Sequence, residues 1–161
     1  KWERIVNNFF KKYFGLKQYH LNQVHECMKT GRHILPTGRW FKFAKDKLVK
    51  GVMSYNDRHP KNYPVQGISG GDILPLAAVI IAKGMRKRNM KSYMFLTVHD
   101  SIVFDYVKEE LKELAKLCLT VFKNLPYYIE QYFGFPVNVN LEGECECGPN
   151  YSNIKKYDPY E

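Results

Sequence analysis

Apolar residues at helical spacing open the chain. Val6, Phe9, Phe10 and Tyr13 recur at i, i+3, i+4 and i+7, predicting an amphipathic helix ended by Gly15. Leu16, Tyr19 or His20, Val24 and Cys27 or Met28 continue the period to Thr30-Gly31, so the break at Phe14-Gly15 reads as a bend between two helical pieces. Ile34-Leu35 and Trp40-Phe41 flank Pro36-Thr37-Gly38, the pattern of a small hairpin carrying Arg32, Arg39 and Lys42. Residues 45 to 61 lack a clear period and read as a polar, basic connection. Ser69 and Asp72 stand at capping-box spacing before an apolar helix running to Ala82, and Lys83, Arg86, Lys87 and Arg88 suit its carboxyl end. Pro75 fits that helix only in its first turn. Leu111, Leu114, Ala115, Cys118, Leu119 and Phe122 form the stripe of a further helix over 108–124, stopped by Pro126. Beyond a short aromatic segment, Val137, Val139, Leu141 and Gly143 alternate with polar neighbours as a strand, and a turn-rich tail follows.

The most informative pattern is Met94-Phe95-Leu96-Thr97-Val98-His99-Asp100-Ser101-Ile102-Val103-Phe104-Asp105. Two β-rich apolar runs surround a polar centre, which predicts a hairpin with His99 and Asp100 at its apex. Asp100 has two readings. An aspartate in a turn satisfies local backbone groups and needs no further role. A carboxylate at the rim of a sheet can also hold a hard cation such as Mg²⁺, which favours oxygen ligands.

Composition narrows the classes. The 161 residues allow one domain with a real core, and 45% hydrophobic with 15% aromatic content excludes a disordered tail. The longest apolar run, Ile73 to Ala82, is ten residues and contains Pro75; it is too short to span a bilayer, so no membrane partner is expected. The chain opens on Lys1 without a secretory signal pattern, which reads as a trimmed, processed or partial chain. The four cysteines lack zinc-ligand spacing and read as reduced thiols. Residues 1–98 carry 19 Lys and Arg against 5 Asp and Glu, whereas residues 99–161 carry 6 against 11. A basic half of that size points to a polyanion such as nucleic acid, with a solvated lysine-rich surface as the bland alternative.

The order of motifs brings a family into view. Phe9-Phe10, Tyr13 and Gly15-Leu16 precede Thr37-Gly38-Arg39; then come Asn62, Pro64 and Gln66-Gly67, an Asp72-Ile73 helix start, and Val98-His99-Asp100 with Ile102-Val103-Phe104. This series, closed by the Val137-to-Gly148 segment, resembles the C-terminal half of the polymerase domain of family A DNA polymerases, the DNA polymerase I type. The likeness covers residues 3 to 154. It implies an α+β fold in which an antiparallel palm sheet, made of the His99-Asp100 hairpin and the Val137 strand, packs on the helices at 70–84 and 108–124. It further implies a single segment, with helices from the fingers side over 1–31, a small hairpin over 32–44 and a palm core over 62–154.

The same resemblance assigns roles. Asp100 would be the palm aspartate that binds Mg²⁺ in a two-metal site, with His99 beside the primer end. Gln66 and Asn62 would touch the new duplex, where a glutamine can donate to minor-groove acceptors common to all correct pairs. Arg58 would sit beside the primer strand, and Arg39 would contact phosphate. Implied partners are primer–template DNA, a dNTP and the N-terminal polymerase half, in cis or in trans, and the implied location is the cytoplasm of a cell or a phage-infected cell, with an organelle as the alternative.

The departures have consequences. Ser101 stands where the family usually carries Glu, Gly70-Gly71 stand at its small pair, and Pro75 is unexpected in the helix. The family's other metal-binding aspartate and its nucleotide-gripping fingers helix match nothing in these residues. Asp105 and Asp72 are not positioned to supply the second carboxylate. The expectation is therefore a polymerase segment inactive by itself, completed by an N-terminal half; the alternative is a catalytically silent DNA-binding or scaffold remnant.

Overall fold

Three apolar helix faces meet in the second half of the chain, and their burial sets the architecture there. The structure is a computed structural model and describes residues 2–161. It divides into two compact units, one ending at Ile68 and one spanning Ser69–Glu161. Helices and small antiparallel sheets alternate in both, so the α+β expectation holds.

In the first unit, helices α1 (Trp2–Lys12) and α2 (Phe14–Thr30) are separated by Tyr13. The bend falls at Tyr13 and leaves Gly15 inside α2. Gly31 caps α2 in the left-handed conformation, φ 69°, and its N–H donates to the Cys27 carbonyl at 2.8 Å. Strands β1 (Arg32–Ile34) and β2 (Trp40–Lys42) form the predicted hairpin. Pro36 follows Leu35 in its turn, and Gly38 supplies a positive φ of 85°.

The connection expected over 45–61 instead folds as a second hairpin, β3 (Lys45–Val49) and β4 (Val52–Tyr55), followed by α3 (Arg58–Gln66). Lys50 and Gly51 turn this hairpin with φ of 50° and 79°, the two left-handed residues that a tight two-residue turn requires. Its strands escape a periodicity test because all of β3 is exposed. Pro60 and Pro64 form the buried side of α3, which packs against α2.

From α3 the backbone continues without a break through a π-helical segment, Gly67–Ile73, into α4 (Leu74–Lys87). The predicted start at Ser69 with Asp72 in a capping box is therefore corrected, because a helix already running needs no amino-terminal cap. The wider π turn precedes Pro75, which has no N–H and whose ring would collide with the carbonyl four residues back in a regular helix. Pro75 falls in the first turn of α4. The helical run Arg58–Lys87 is long and apolar enough to cross a bilayer by length and composition alone. Ala77, Ile81 and Met85 of α4 are instead buried in the protein core.

In the second unit, α4 packs against α5 (Leu111–Lys123), which is entered through a 3₁₀ turn at Lys108–Glu110. Leu114, Leu117, Cys118 and Val121 complete that core with Leu125 and Ile129 of α6 (Leu125–Phe133). Pro126 does not end the helical structure: it lies in the first turn of α6, where proline is tolerated, and Gly134 caps the other end at φ 74°. Strands β5 (Tyr93–Val98) and β6 (Ser101–Asp105) make the central hairpin, and Met94, Ile102 and Phe104 pack on the helices. The register shifts between Met94 and Leu96, leaving Phe95 as an extra residue. That bulge sets Leu96 opposite Val103 and Thr97 opposite Ile102, and both Leu96 and Thr97 are exposed.

The Val137 strand is not formed. Val137 and Leu141 pack on the core, but residues 135–145 join no ladder, and the β5–β6 sheet has two strands. Alternation reports which side chains are covered, and a segment can bury them without pairing its backbone. The tail forms a short hairpin, β7 (Glu146–Cys147) with β8 (Lys155–Lys156), rather than lying loose. All four cysteines are free thiols, and burial pushes the Cys118 thiol up to about 12.

One polar cluster fastens the base of the central hairpin. Glu110 accepts from the Lys91 and Ser92 amides at 2.9 and 2.8 Å and from the Ser92 hydroxyl at 2.6 Å, while the Val107 N–H donates to Ser92 Oγ at 2.9 Å. Ser92 is 5% exposed. Ser92→Ala should cost about 1–3 kcal/mol in urea unfolding, because the Val107 donor is left without its acceptor. Hydrogen bonds from the Lys91 amide first, then Ser92, hold the Glu110 carboxyl below the usual range. Its contribution is thus complete above the ordinary carboxylate pKa and lost as pH falls through the folded-state value. Glu110→Gln should flatten the acid limb of the stability–pH profile, measured by thermal melts.

Gly67 lies where a Cβ would come within 2.5 Å of Phe41 Cζ and 3.2 Å of Leu35 Cδ1. Alanine would gain up to about 1 kcal/mol in helix propensity, against about 1–3 kcal/mol for overpacking. Gly67→Ala should therefore destabilise by about 1 kcal/mol in the same unfolding assay.

Candidate nucleic-acid interface and metal ligand

Arg58, Asn62 and Gln66 follow one another at i, i+4 spacing, and in a helix each such step turns the side chain only about 40°. With Pro60 and Pro64 buried on the opposite side of α3, all three are exposed on one stripe. The Arg58 N–H donates to Asn56 Oδ1 at 3.1 Å, which fixes the entry to the helix. His59 stacks on Tyr63 with ring centroids 5.0 Å apart, and Tyr63 also meets Phe41 and Phe43 edge-on or tilted. This aromatic group holds α3 against the back of the β1–β2 hairpin. Gly67 permits that close approach.

The carboxylate that precedes Arg58 in the chain, Asp57, is paired with lysines. Asp57 accepts from Lys61 Nζ at 2.6 Å and pairs with Lys47 Nζ at 3.5 Å. The Lys61 hydrogen bond is the main reason its carboxyl lies below the usual range. The stripe carries one guanidinium and two amide side chains, donor types that suit phosphate and base edges. Lys47 and Lys61 escaped sequence reasoning; the Lys50-Gly51 pair between Leu48-Val49 and Val52-Met53 was the signal for the hairpin that brings Lys47 in.

Arg39 follows the β1–β2 turn, where its carbonyl accepts from the Leu35 N–H at 2.7 Å. It is exposed, in the same unit as the α3 stripe. Residues 1–68 hold fourteen Lys and Arg against four Asp and Glu, a balance of +10, whereas residues 69–161 hold eleven against twelve, a balance of −1. The basic excess belongs entirely to the first unit.

In the second unit, His99 and Asp100 form the two-residue turn between Val98 and Ser101. His99 adopts a left-handed φ of 52°, uncommon for a residue with a side chain and the kind of local strain that accompanies functional turns. The Ser101 hydroxyl donates to the Val98 carbonyl at 2.8 Å and closes the turn. Asp100 is exposed at the tip. Asp105 is at the other end of the hairpin, roughly 15 Å away by strand rise, and accepts from the Tyr93 hydroxyl at 2.8 Å. It cannot share an ion with Asp100.

Among the described residues no group of three or more His, Cys, Asp or Glu is arranged to hold a metal. Asp100 has the donor chemistry for one position on a hard cation, which keeps water or phosphate in its remaining positions. A paired-ion site needs further carboxylate oxygen from elsewhere.

Comparison with known proteins agrees with the motif order. The model of DNA polymerase family A matches residues 2–153. The DNA polymerase of Bacillus phage SP01 is 35% identical over 108 residues, 67% of this chain and 12% of the phage protein. DNA polymerase I of Geobacillus stearothermophilus is 27% identical over 161 residues, covering 94% of this chain and 16% of its own length. The chain thus spans less than a fifth of these relatives. Among solved structures, the POL domain of Pol1 from M. smegmatis, in complex with DNA primer-template and dNTP, superposes with a TM-score of 0.70 at 25% identity, over 85% of this chain and 23% of that one. With its motifs, its fold and a family match over nearly its whole length in agreement, this chain belongs to DNA polymerase family A.

Proposed function

We propose that this chain is the C-terminal part of a template-directed DNA polymerase, supplying one metal-binding carboxylate and a primer–template surface to an active site completed by an N-terminal polymerase segment, in cis or in trans. The observation that carries this reading is Asp100 exposed at the tip of a tight turn, in a chain whose basic excess lies wholly in residues 1–68. The solved relative bound to primer-template and dNTP supports the same partners here.

Two bound Mg²⁺ ions would supply activation of the primer hydroxyl and neutralisation of charge on the transferred and leaving phosphates. Asp100 would contribute one carboxylate to that pair. The Ser101 hydroxyl is engaged with the Val98 carbonyl, so at this turn the ligand duty falls on Asp100 alone. His99 would approach the primer terminus. Arg58 and Arg39 would neutralise phosphates, which positions the duplex without reading its sequence. Asn62 and Gln66 would meet the minor groove, where the purine N3 and pyrimidine O2 acceptors are shared by correct pairs, so a donor there senses pair geometry. The location would follow from the activity: the compartment in which the DNA is copied, a cytoplasm or a phage-infected cell, with an organelle as the alternative.

The test is reconstitution. With primer–template, Mg²⁺ and all four dNTPs, the chain alone should give no extension, whereas its mixture with the polypeptide encoded by the neighbouring reading frame should extend the primer. In that mixture Asp100→Ala should lower the rate at least about a hundredfold while leaving the thermal melt unchanged, since the side chain is exposed. Extension by the chain alone would remove the need for a second segment. An Asp100→Ala rate equal to wild type would remove Asp100 from the metal site. Duplex binding without any extension would favour a silent DNA-binding remnant.

Arg58 gives a separate reading of the interface. Arg58→Ala should weaken duplex binding evenly across sequences and reduce the slope of log affinity against log salt by about 0.9, one phosphate contact. Fluorescence anisotropy over a range of salt concentrations measures both.

A further inference from the structure

The outward face of the β1–β2 hairpin carries an arrangement that the polymerase reading leaves unexplained. Its register sets Arg32 opposite Lys42 and Ile34 opposite Trp40, with His33 opposite Phe41 between them. Directly opposed residues of an antiparallel pair share a face, so Arg32, Lys42, Ile34 and Trp40 point the same way. All four are exposed, Ile34 and Trp40 at 62% and 61%, while His33 and Phe41 are half-buried behind them.

Two cations directly opposed on a ladder repel each other. Among the described residues no carboxylate forms an ion pair with Arg32 or Lys42. The carboxyl end of α2 lies beside them in sequence, but a helix terminus offers only about half a negative charge against two positive ones. Positive charge is left in excess.

Arg32, Trp40 and Lys42 also border a cleft of about 360 Å³, lined besides by Thr30, Gly31, Phe43 and Tyr55. Gly31 keeps it open: a Cβ at this left-handed position would come within 2.8 Å of the Tyr55 hydroxyl. Lys45 Nζ lies 5.8 Å from the Tyr55 ring centroid and adds a third cation at the edge. A flat, solvent-facing indole among cations is the combination by which proteins hold unpaired nucleic-acid strands: bases stack on the aromatic and phosphates follow the charges.

We propose that this face is a binding site for a single strand of nucleic acid, with one base stacked on Trp40 beside Ile34 and the flanking phosphates on Arg32 and Lys42. A duplex is excluded as the occupant of the shelf because its bases already spend their faces on one another. The site shares no residue with the α3 stripe or with the Asp100 turn, and stands whether or not the chain takes part in synthesis.

Binding of a labelled 12-nucleotide oligothymidylate to the purified chain, followed by anisotropy, tests this beside a blunt duplex of equal length. Trp40→Ala should weaken oligothymidylate binding roughly 10- to 100-fold, and Trp40→Phe should recover most of it. Arg32→Ala with Lys42→Ala should reduce the salt slope for the single strand by about 1.4, two phosphate contacts. Duplex affinity should stay within about twofold in these variants, and Asp100→Ala should bind the oligonucleotide as wild type does.

The chain has two tryptophans, so in Trp2→Phe the emission reports Trp40 alone, with the proposed site intact. Oligothymidylate should quench it, whereas inorganic phosphate should not. Absence of oligothymidylate binding at low salt, unchanged affinity in Trp40→Ala, equal losses for strand and duplex, or unquenched Trp40 emission would each overturn the proposal. None of these readouts involves primer extension, so this site and the polymerase reading can fail independently.

Discussion

A two-stranded hairpin is marginal in water unless something covers one of its faces, and Asp100 stands at the tip of such a hairpin. Its position therefore depends on how the base is held. Met94, Ile102 and Phe104 lie on the core built by α4, α5 and α6, and Ser92 with Glu110 ties the start of β5 to the entrance of α5. The apolar contacts provide most of the attachment, since burying a large side chain is worth about 1.5–3 kcal/mol and a typical net hydrogen bond about 1 kcal/mol. The polar cluster contributes direction: it can be satisfied only when β5 and the turn before α5 meet in one arrangement. That single arrangement fixes the base from which the Asp100 turn projects.

The first unit solves a different problem. Its surface is strongly basic while its small elements still find a core. The aromatic cluster of Phe41, Phe43, Tyr63 and His59 gives α3 and the β1–β2 hairpin a shared interior. Cationic and amide side chains are thereby left on the outside. Pro60 and Pro64, poor helix residues in general, serve as the buried side of α3 and donate no backbone hydrogen bonds. The π-helical segment that follows has the same logic, because it widens the helix just ahead of Pro75.

Some expectations failed for identifiable reasons. Residues 45–61 gave no periodic signal because the β3–β4 hairpin is solvent-exposed, so burial never imposed alternation on it. Val137 and Leu141 did alternate, and are covered by the core, yet their backbone joins no ladder. Pro126 looked like a stop, but proline in the first turn of a helix is also a start signal, and Gly134 marks the end of α6.

The sequence by itself determined the family, the helix end at Gly31, the β1–β2 turn and the hairpin that carries His99 and Asp100, because each is encoded in residues adjacent along the chain. It also determined where the charge lies. Only the tertiary structure decided that Arg58, Asn62 and Gln66 share one exposed stripe, since that depends on Pro60 and Pro64 being buried against partners distant in sequence. Only the ladder register decided that Arg32 faces Lys42 beside Trp40. Pairing across strands is set by turn geometry and by which face finds cover, and a shift of one residue would have placed the indole on the other side.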